Sequence, residues 1–205
     1  MERQTTKTSD PAPLVFAAAP LDQYALRLTT GLAYLGGLLM LPLLFAYLAN
    51  LRWEGLIIPV ALAIAVAVFL LLTYAFQARG YELTAGELVV RRRLWRPMRV
   101  PLEQITAASA ATNLADVPRR GLRFAFNAGI FGYQGPFRLA PYGEVFFLAT
   151  NRGRLVAVAR QGRTPLILSP DSPRAFVEAL NERRTQAALT RLGQDEETPD
   201  ALPAP

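Results

Sequence analysis

The chain has 205 residues, of which 52% are apolar and only 19% are charged, and its formal net charge is +6. It contains no histidine and no cysteine. These absences exclude a Ser-His-Asp triad, a cysteine nucleophile, a disulfide, and zinc, haem or iron–sulfur sites built on those ligands. Carboxylates remain, but they are scattered singly along the β-rich part of the chain. We therefore predict no catalytic residue, no metal, no cofactor and no enzymatic activity.

Residues 1–23 are expected to form a disordered N-terminus, because the first 20 residues combine hydroxyl side chains with three prolines. Such a composition offers little apolar surface to bury.

Two stretches of 24 residues each, 28–51 and 55–78, contain no acidic or basic side chain. As helices they would each be about 36 Å long, whereas the hydrocarbon core of a bilayer is about 30 Å thick. Buried helices of soluble proteins usually keep a polar stripe, and the apolar region of a signal peptide is shorter. The pattern predicts a transmembrane hairpin over 24–80, with spans at about 28–49 and 56–76.

The distribution of Lys and Arg predicts the orientation of this hairpin. The loop between the spans carries only Arg52, whereas Arg3, Lys7 and Arg27 precede the first span. More arginines follow the second span, and positive residues collect on the cytoplasmic side. We expect a multi-pass protein of the cytoplasmic (inner) membrane with both termini in the cytoplasm.

Small residues spaced four apart predict close packing of the two spans. They are Ala33 with Gly37, Ala61 with Ala65, and Ala63 with Ala67. Pro42 is expected to kink the first span. Neither span contains a charged residue, which disfavours a channel or a transporter formed by the hairpin alone.

From residue 81 onward, short apolar segments alternate with turn residues, which is typical of an all-β domain. The predicted strands cover 81–84, 87–93, 95–101, 103–110, 122–126, 144–150, 154–160 and 166–168. Turns are expected at 151–153 and 161–163. A helix then begins at Ser172 and Pro173 and is expected to end at Gly193. Residues 193–205 are acidic and proline-rich, and a disordered tail is predicted there.

Five segments of this region resemble membrane-associated bacterial pleckstrin-homology (PH) domain proteins, in which helices precede the domain. The segments are 81–90, 100–105, 130–135, 143–150 and 168–176, and the resemblance covers about residues 24–180. It implies a PH-like domain at 81–192, with seven or eight short antiparallel strands in two sheets and one C-terminal helix. It provides no catalytic residue.

Five arginines form the densest basic group of the chain and lie close to the expected inner leaflet. Basic residues beside an anionic leaflet gain about 1 kcal/mol each. One interpretation is contact with phospholipid head groups, and the other is ordinary positive charge on a solvated strand face. Specific inositol-lipid binding is not predicted, since the first strand has no basic residue. The five residues are Arg91, Arg92, Arg93, Arg96 and Arg99.

A glycine-rich stretch, residues 129–143, carries aromatic side chains and has no phosphate-binding spacing. One interpretation is a loop that enters the membrane interface or contacts a partner through Phe131, Tyr133 and Arg138. The other is a connection between strands whose aromatic side chains fold back onto the core. Long loops in compact domains are often functional.

These features predict a membrane-anchored binding or scaffolding module that acts by protein–protein or lipid-surface interaction. The alternative is an accessory subunit of a transport or envelope-stress complex that acts through the hairpin. The expected partners are the phospholipid bilayer and a protein, and a homo-oligomer is left open. Nucleic acid is not an expected partner, because no basic helix face and no aromatic stacking motif is present.

Overall fold

The computed structural model describes residues 12–48, 56–111, 127–139 and 143–196. Three helices precede most of the β structure, namely α1 (Gln23–Leu38), α2 (Leu41–Leu48) and α3 (Ile57–Phe76). The segment formed by α1 and α2 and the helix α3 are each long and apolar enough to cross a membrane, by length and composition.

The first helical segment is interrupted between Leu38 and Leu41, just ahead of Pro42. A proline lacks the N–H that would bond to the carbonyl four residues earlier, and its ring clashes with that carbonyl. The carbonyl concerned belongs to Leu38, the last residue of α1. The disturbance expected at Pro42 is therefore a break between two helices.

Small residues lie where α1 and α3 pack together. Only some of them are the residues that the four-residue spacing predicted. A Cβ on Gly36 would lie 3.3 Å from Val66 Cγ1, and Ala63 is buried. By contrast, a Cβ on Gly37 would meet nothing within 4 Å, and Ala61 is exposed. On α1, the residue that faces α3 is therefore Gly36, one position before the predicted Gly37.

The β structure consists of two sheets. The first has four antiparallel strands in sequence order: β1 (Leu14–Ala17), β2 (Ala78–Leu83), β3 (Glu87–Arg92) and β4 (Met98–Pro101). The second contains β5 (Ile105–Ala110), β6 (Asn127–Ala128), β7 (Tyr133–Leu139), β8 (Gly143–Ala149), β9 (Val156–Arg160) and β10 (Arg163–Leu168). Its order is β5-β9-β10-β8-β7-β6.

The expected disorder of residues 1–23 is wrong for the part that the structure describes. Residues 14–17 form β1, which pairs with β2 although α1, α2 and α3 lie between them in the chain. The apolar side chain of Phe16 explains why this segment is ordered. It packs against the core, and its ring centroid lies 5.3 Å from that of Phe176. Residues 1–11 lie outside the described ranges.

The second sheet also departs from the expected antiparallel arrangement. Strand β10 lies between β8 and β9, and it pairs with β8 in parallel. The expected hairpin turn at 151–153 therefore does not join paired strands, and a 3-10 turn, Arg152–Arg154, occupies this connection. The turn expected at 161–163 is confirmed, because β9 and β10 are antiparallel neighbours. The strand predicted at 122–126 falls outside the described residues.

One helix, α4 (Pro173–Glu196), closes the structure. It begins where Pro173 was expected to start it, but it continues through Gly193, where the sequence predicted its end. The tail expected at 193–205 is therefore helical as far as Glu196. Residues 197–205 are not among those described.

The second sheet has a buried cluster on each face. On one face Leu148 and Val158 join a core with Tyr81 and Leu88 of the first sheet and Phe176 of α4. On the other face the core is formed against the start of α1, whose Ala25 is completely buried. Residues Tyr133, Phe137, Val145, Phe147 and Ile167 line that second face. The helical hairpin and the β structure are thus packed together.

Candidate functional site

The five predicted arginines lie on one β hairpin beside the end of α3. Arg91 and Arg92 end β3, Arg93 and Arg96 belong to the connection, and Arg99 lies in β4. All are exposed except Arg92, which is half-buried. The basic group that the sequence singled out is therefore one surface, and its members differ in their contacts.

Two of these arginines, whose own side chains are exposed, form ion pairs with glutamates of the same sheet. Arg91 Nε lies 2.5 Å from Glu82 Oε2, and Arg99 Nη1 lies 3.5 Å from Glu87 Oε2. Each pair is diagonal across two neighbouring strands, because Arg91 is opposite Gly80 and Arg99 is opposite Val89. Such pairs stabilise a fold little and are weakened by salt. They also reduce the net positive charge of this surface.

Arg92 and Arg93 do not pair with these glutamates, and their side chains contact the C-terminal end of α3. The Arg92 guanidinium lies 5.6 Å from the centroid of the Phe76 ring, and burial lowers the pKa of Arg92. Arg93 donates from Nε to Gln77 Oε1 at 2.6 Å and from Nη1 to the Tyr74 hydroxyl at 3.1 Å. Its guanidinium also stacks over Tyr74 at 4.9 Å. These two side chains hold the hairpin against the helix.

The backbone of the β3–β4 connection continues this attachment. Arg93 N–H donates to Gln77 O at 3.0 Å, and Leu94 N–H donates to Ala75 O at 3.2 Å. The ring of Trp95 packs on Phe76 with centroids 4.5 Å apart. Arg96 makes no hydrogen bond or ion pair with any residue that the structure describes. The tip of this hairpin is thus fixed at the level of the last turn of α3.

An open groove of about 690 Å³ runs beside this tip, across the edge of the first sheet. Arg79, Arg91, Arg92 and Trp95 are among its lining residues, and Glu82 is the one acid among those that the structure describes. Cations with an aromatic ring form a surface suited to an anionic group. Within the described ranges, acidic side chains form no group of three that could hold a metal ion.

The glycine-rich stretch packs against both helices rather than standing free. Phe131 N–H donates to Thr29 Oγ1 of α1 at 2.8 Å, and its ring meets Tyr74 of α3 edge-on at 5.2 Å. Phe131 has a φ of +53°, an uncommon conformation for a residue with a side chain. The turn before it is closed by Asn127 Oδ1, which accepts from Ile130 N–H at 2.9 Å. Phe131 therefore links the glycine-rich stretch to both α1 and α3.

Gly129 makes the close approach of this loop to α1 possible. Its φ is +135°, and a Cβ there would lie 2.9 Å from Tyr24 Cε1 and 3.0 Å from Leu28 Cδ2. Both the conformation and the space favour glycine. The sequence pattern signalled a special loop here but not its contact with the first helix.

Tyr133 and Arg138, the other two predicted loop residues, do not form a surface with Phe131. Tyr133 is completely buried in β7, so its expected contact with a membrane or partner is wrong. Arg138 is exposed and pairs with Glu144 of the neighbouring strand, with Nη2 and Oε1 2.8 Å apart. The aromatic ring of Tyr133 folds back onto the core, as the second interpretation of the sequence had it.

Asp22 is the centre of a polar junction that the sequence analysis did not identify. Its Oδ1 caps α1 by accepting from Ala25 N–H at 2.8 Å. The Tyr133 hydroxyl donates to its Oδ2 at 3.0 Å, and Arg152 donates from Nε to the same oxygen at 3.0 Å. The guanidinium of Arg152 also lies 4.9 Å from the Tyr24 ring. The available signal was an acid close before the hairpin predicted at 24–80, since acids are favoured at helix starts.

The ionisation of this junction follows from its contacts. Burial alone would raise the pKa of Asp22, but the hydrogen bonds from Ala25, Arg152 and Tyr133 outweigh it and hold that pKa below its ordinary value. Burial and the nearby carboxylate raise the pKa of Tyr133. The junction therefore contains an ionised Asp22 and a neutral Tyr133 at neutral pH.

Comparison with known proteins identifies a family. A family model described as "Bacterial PH domain" matches residues 79–184, which is just over half of the chain. No curated protein and no solved structure matches the chain. The matched range begins in β2 and ends within α4, so β1 and the three preceding helices lie outside it.

Proposed function

Because the chain belongs to the bacterial PH-domain family, we propose that it is a membrane-anchored binding module. The helical hairpin spans the cytoplasmic membrane, and the PH-like domain lies against the inner leaflet and binds a protein partner or the lipid surface. It works by positioning its partner, with no chemical step of its own. The observation that carries this proposal is that two long apolar helical segments are exposed, while the start of α1 and the end of α3 pack onto the domain.

The exposure of the helices supports a membrane setting. Only 6% of the most apolar stretch of Gln23–Leu48 and 11% of that of Ile57–Phe76 is buried. A core helix of a soluble protein would be mostly covered. Large apolar side chains such as Tyr34, Phe45 and Ile58 stand in the open, at 77%, 64% and 80% exposure. A bilayer would cover these surfaces.

The first sheet supports a hairpin with both ends on one side of the membrane. Strand β1 precedes α1 and strand β2 follows α3, yet the two strands pair from Leu14 with Leu83 to Ala17 with Gly80. With both helices across a membrane, paired strands lie on one side of it, which supports a chain that returns to the side from which it entered. The excess of arginine beside the end of α3 favours the cytoplasmic side.

The basic hairpin and its groove support an interaction with anionic groups. Arg79 and Arg91 line the groove, and Arg96 extends from the tip without a described partner. A tethered domain meets a partner in the same membrane at a high effective concentration, so weak contacts suffice. We therefore assign recognition of the partner to this surface. We assign orientation of the domain to the contacts of α1 and α3 with the β structure.

Topology provides the experiment. Alkaline phosphatase, which is active outside the cytoplasm, and green fluorescent protein, which is fluorescent inside it, are fused separately at residue 1, at residue 205 and between Arg52 and Trp53. We expect fluorescence at both termini and phosphatase activity only at the internal site. Phosphatase activity at the C-terminus would contradict the proposal, and so would recovery of the full-length protein in the soluble fraction.

A further inference from the structure

We propose that the tip of the β3–β4 hairpin, Leu94 and Trp95, inserts into the membrane interface beside α3 and forms a third attachment of the protein to the bilayer. The inference rests on the proposed membrane span of α3 and adds a lipid contact by the PH-like domain itself. The occupant of this surface is the acyl–headgroup boundary of the lipid, and no protein partner is required.

The depth of the tip is fixed by backbone hydrogen bonds. Leu94 N–H donates to Ala75 O, and Arg93 N–H donates to Gln77 O, at 3.2 and 3.0 Å. Ala75 and Phe76 are the last two residues of α3, and a helix rises only about 1.5 Å per residue. If α3 spans the bilayer, Leu94 lies at the height where α3 leaves it.

The chemistry of the tip matches that height. Leu94 is 65% exposed and Trp95 is 50% exposed, although both are large and apolar. One side of the Trp95 ring is used by Phe76, and its indole N–H has no hydrogen-bond partner among the described residues. Tryptophan favours the membrane interface, where its ring meets acyl chains and its N–H meets water or headgroups.

Charged residues flank the tip in the way that such an insertion requires. Arg93 and Arg96 are the neighbours of Leu94 and Trp95 in the sequence. Arg93 is directed to the Tyr74 hydroxyl and Gln77, and Arg96 is exposed. Arginine side chains at this level can reach phosphates while their stems lie along apolar surface. The sequence Arg-Leu-Trp-Arg therefore places two apolar side chains between two cations at the boundary.

Tryptophan fluorescence tests the inference, since the chain has only two tryptophans. Trp53→Phe leaves Trp95 as the sole emitter in the full-length protein, reconstituted in vesicles of phosphatidylcholine and phosphatidylglycerol. Lipids brominated near the headgroup end of the acyl chain are compared with lipids brominated near the chain terminus. We expect Trp95 to be quenched at least twofold more strongly by the shallow bromines than by the deep ones.

Two reference variants, both made in a Trp53→Phe and Trp95→Phe background, separate this inference from the proposed function. Ile64→Trp reports on the middle of α3, and deep bromines should quench it most. Leu189→Trp, on an exposed position of α4, should respond to aqueous acrylamide and to neither bromolipid. If Ile64→Trp is quenched and Trp95 is not, the tip is not in lipid and the inference is wrong while the span stands. If Ile64→Trp escapes deep quenching, the span itself is wrong.

A second measurement covers the case in which the aromatic changes disturb the fold. The chain has no cysteine, so Leu94→Cys gives one unique site for a nitroxide label. We expect that label to be more accessible to oxygen, which partitions into lipid, than to a water-soluble nickel complex. Greater access to the nickel complex, or access to neither, would contradict lipid insertion and indicate solvent or a protein cover.

Discussion

A single carboxylate, Asp22, connects the first helix with the second sheet. It caps α1 through Ala25 N–H, and it accepts from Tyr133 and from Arg152. The Asp22 and Arg152 side chains are 15% and 19% exposed, so their pair is largely shielded from solvent. Removal of the carboxylate would leave a buried hydroxyl and a guanidinium without their acceptor, which is costly.

We expect Asp22→Ala to lower the free energy of unfolding of the domain by about 2–3 kcal/mol, from the lost cap and the orphaned partners. Chemical denaturation of the reconstituted protein, followed by near-ultraviolet circular dichroism, measures this change. Glu144→Ala is the matched control, because it breaks the exposed pair with Arg138, and it should cost less than about 0.5 kcal/mol. Equal effects of the two substitutions would show that the Asp22 junction does not stabilise the fold.

The lowered pKa of Asp22 predicts a dependence of stability on pH. The carboxyl binds its proton more weakly in the folded state than in the unfolded state, where its pKa is about 3.9. Its contribution is therefore fully present above that value, and it is lost as the pH falls through the lower folded-state pKa. The melting temperature should fall less steeply below pH 4 in Asp22→Asn than in the native protein. Parallel curves would contradict this assignment.

At the scale of elements, β1 is a strand of the first sheet although it lies outside the range that the family model matches. Within β1, Phe16 packs against the core and contacts Phe176, whereas Val15 is 70% exposed. The backbone of this segment continues into bonds with the rest of the domain. Ala19 N–H donates to Ser169 O at 2.8 Å, and Asp171 N–H donates to Ala17 O at 2.9 Å.

We expect Phe16→Ala to destabilise the domain by about 2–3 kcal/mol, since it removes a large side chain from a packed cluster. Val15→Ala in the same strand should change stability by less than about 0.5 kcal/mol, because its side chain points away from the core. Denaturation midpoints of both variants provide the comparison. If Phe16→Ala were as mild as Val15→Ala, β1 would not contribute to the core.

At the scale of the whole molecule, three contacts fix the orientation of the domain on the hairpin. They are the Asp22 junction, the packing of Phe131 on Thr29 and Tyr74, and the stacking of Trp95 on Phe76. Three separated contacts prevent rotation of one part on the other. If the hairpin spans a membrane as proposed, the PH-like domain should therefore present the same face to that membrane at all times.

Gly129→Val tests this rigidity, since its Cβ would collide with Tyr24 and Leu28 of α1. Nitroxide labels at Ile58→Cys and Leu189→Cys, both exposed in the native chain, report the distance between α3 and α4 by pulsed electron resonance. We expect a narrow distribution in the native background and a broadened one in Gly129→Val. Gly143→Val is the control, because its φ is also positive, at +77°, but its Cβ would meet nothing within 4 Å. Broadening by both variants alike would point to backbone strain instead.

The sequence predicted those parts of the fold whose causes are local. Charge-free stretches identified the long apolar helices, alternation identified β3, and a short apolar run identified β8. It missed β1, because four apolar residues between prolines have no local partner and pair only with β2 beyond the hairpin. The parallel pairing of β8 with β10 and the bond between Asp22 and Arg152 were missed for the same reason. Their partners meet only when the chain has folded.

The position of β1 also orders events during synthesis of the protein. The ribosome makes β1 first, then the whole helical hairpin, and only afterwards β2, on which β1 pairs. On the proposed topology, β1 would therefore stay unpaired in the cytoplasm until both helices had been inserted and β2 had been made. A nascent chain that inserted only one of the two spans would leave β1 and β2 on opposite sides of the bilayer, and the first sheet would lack their pairing. Completion of the first sheet would therefore be possible only in chains whose two spans have both crossed the membrane.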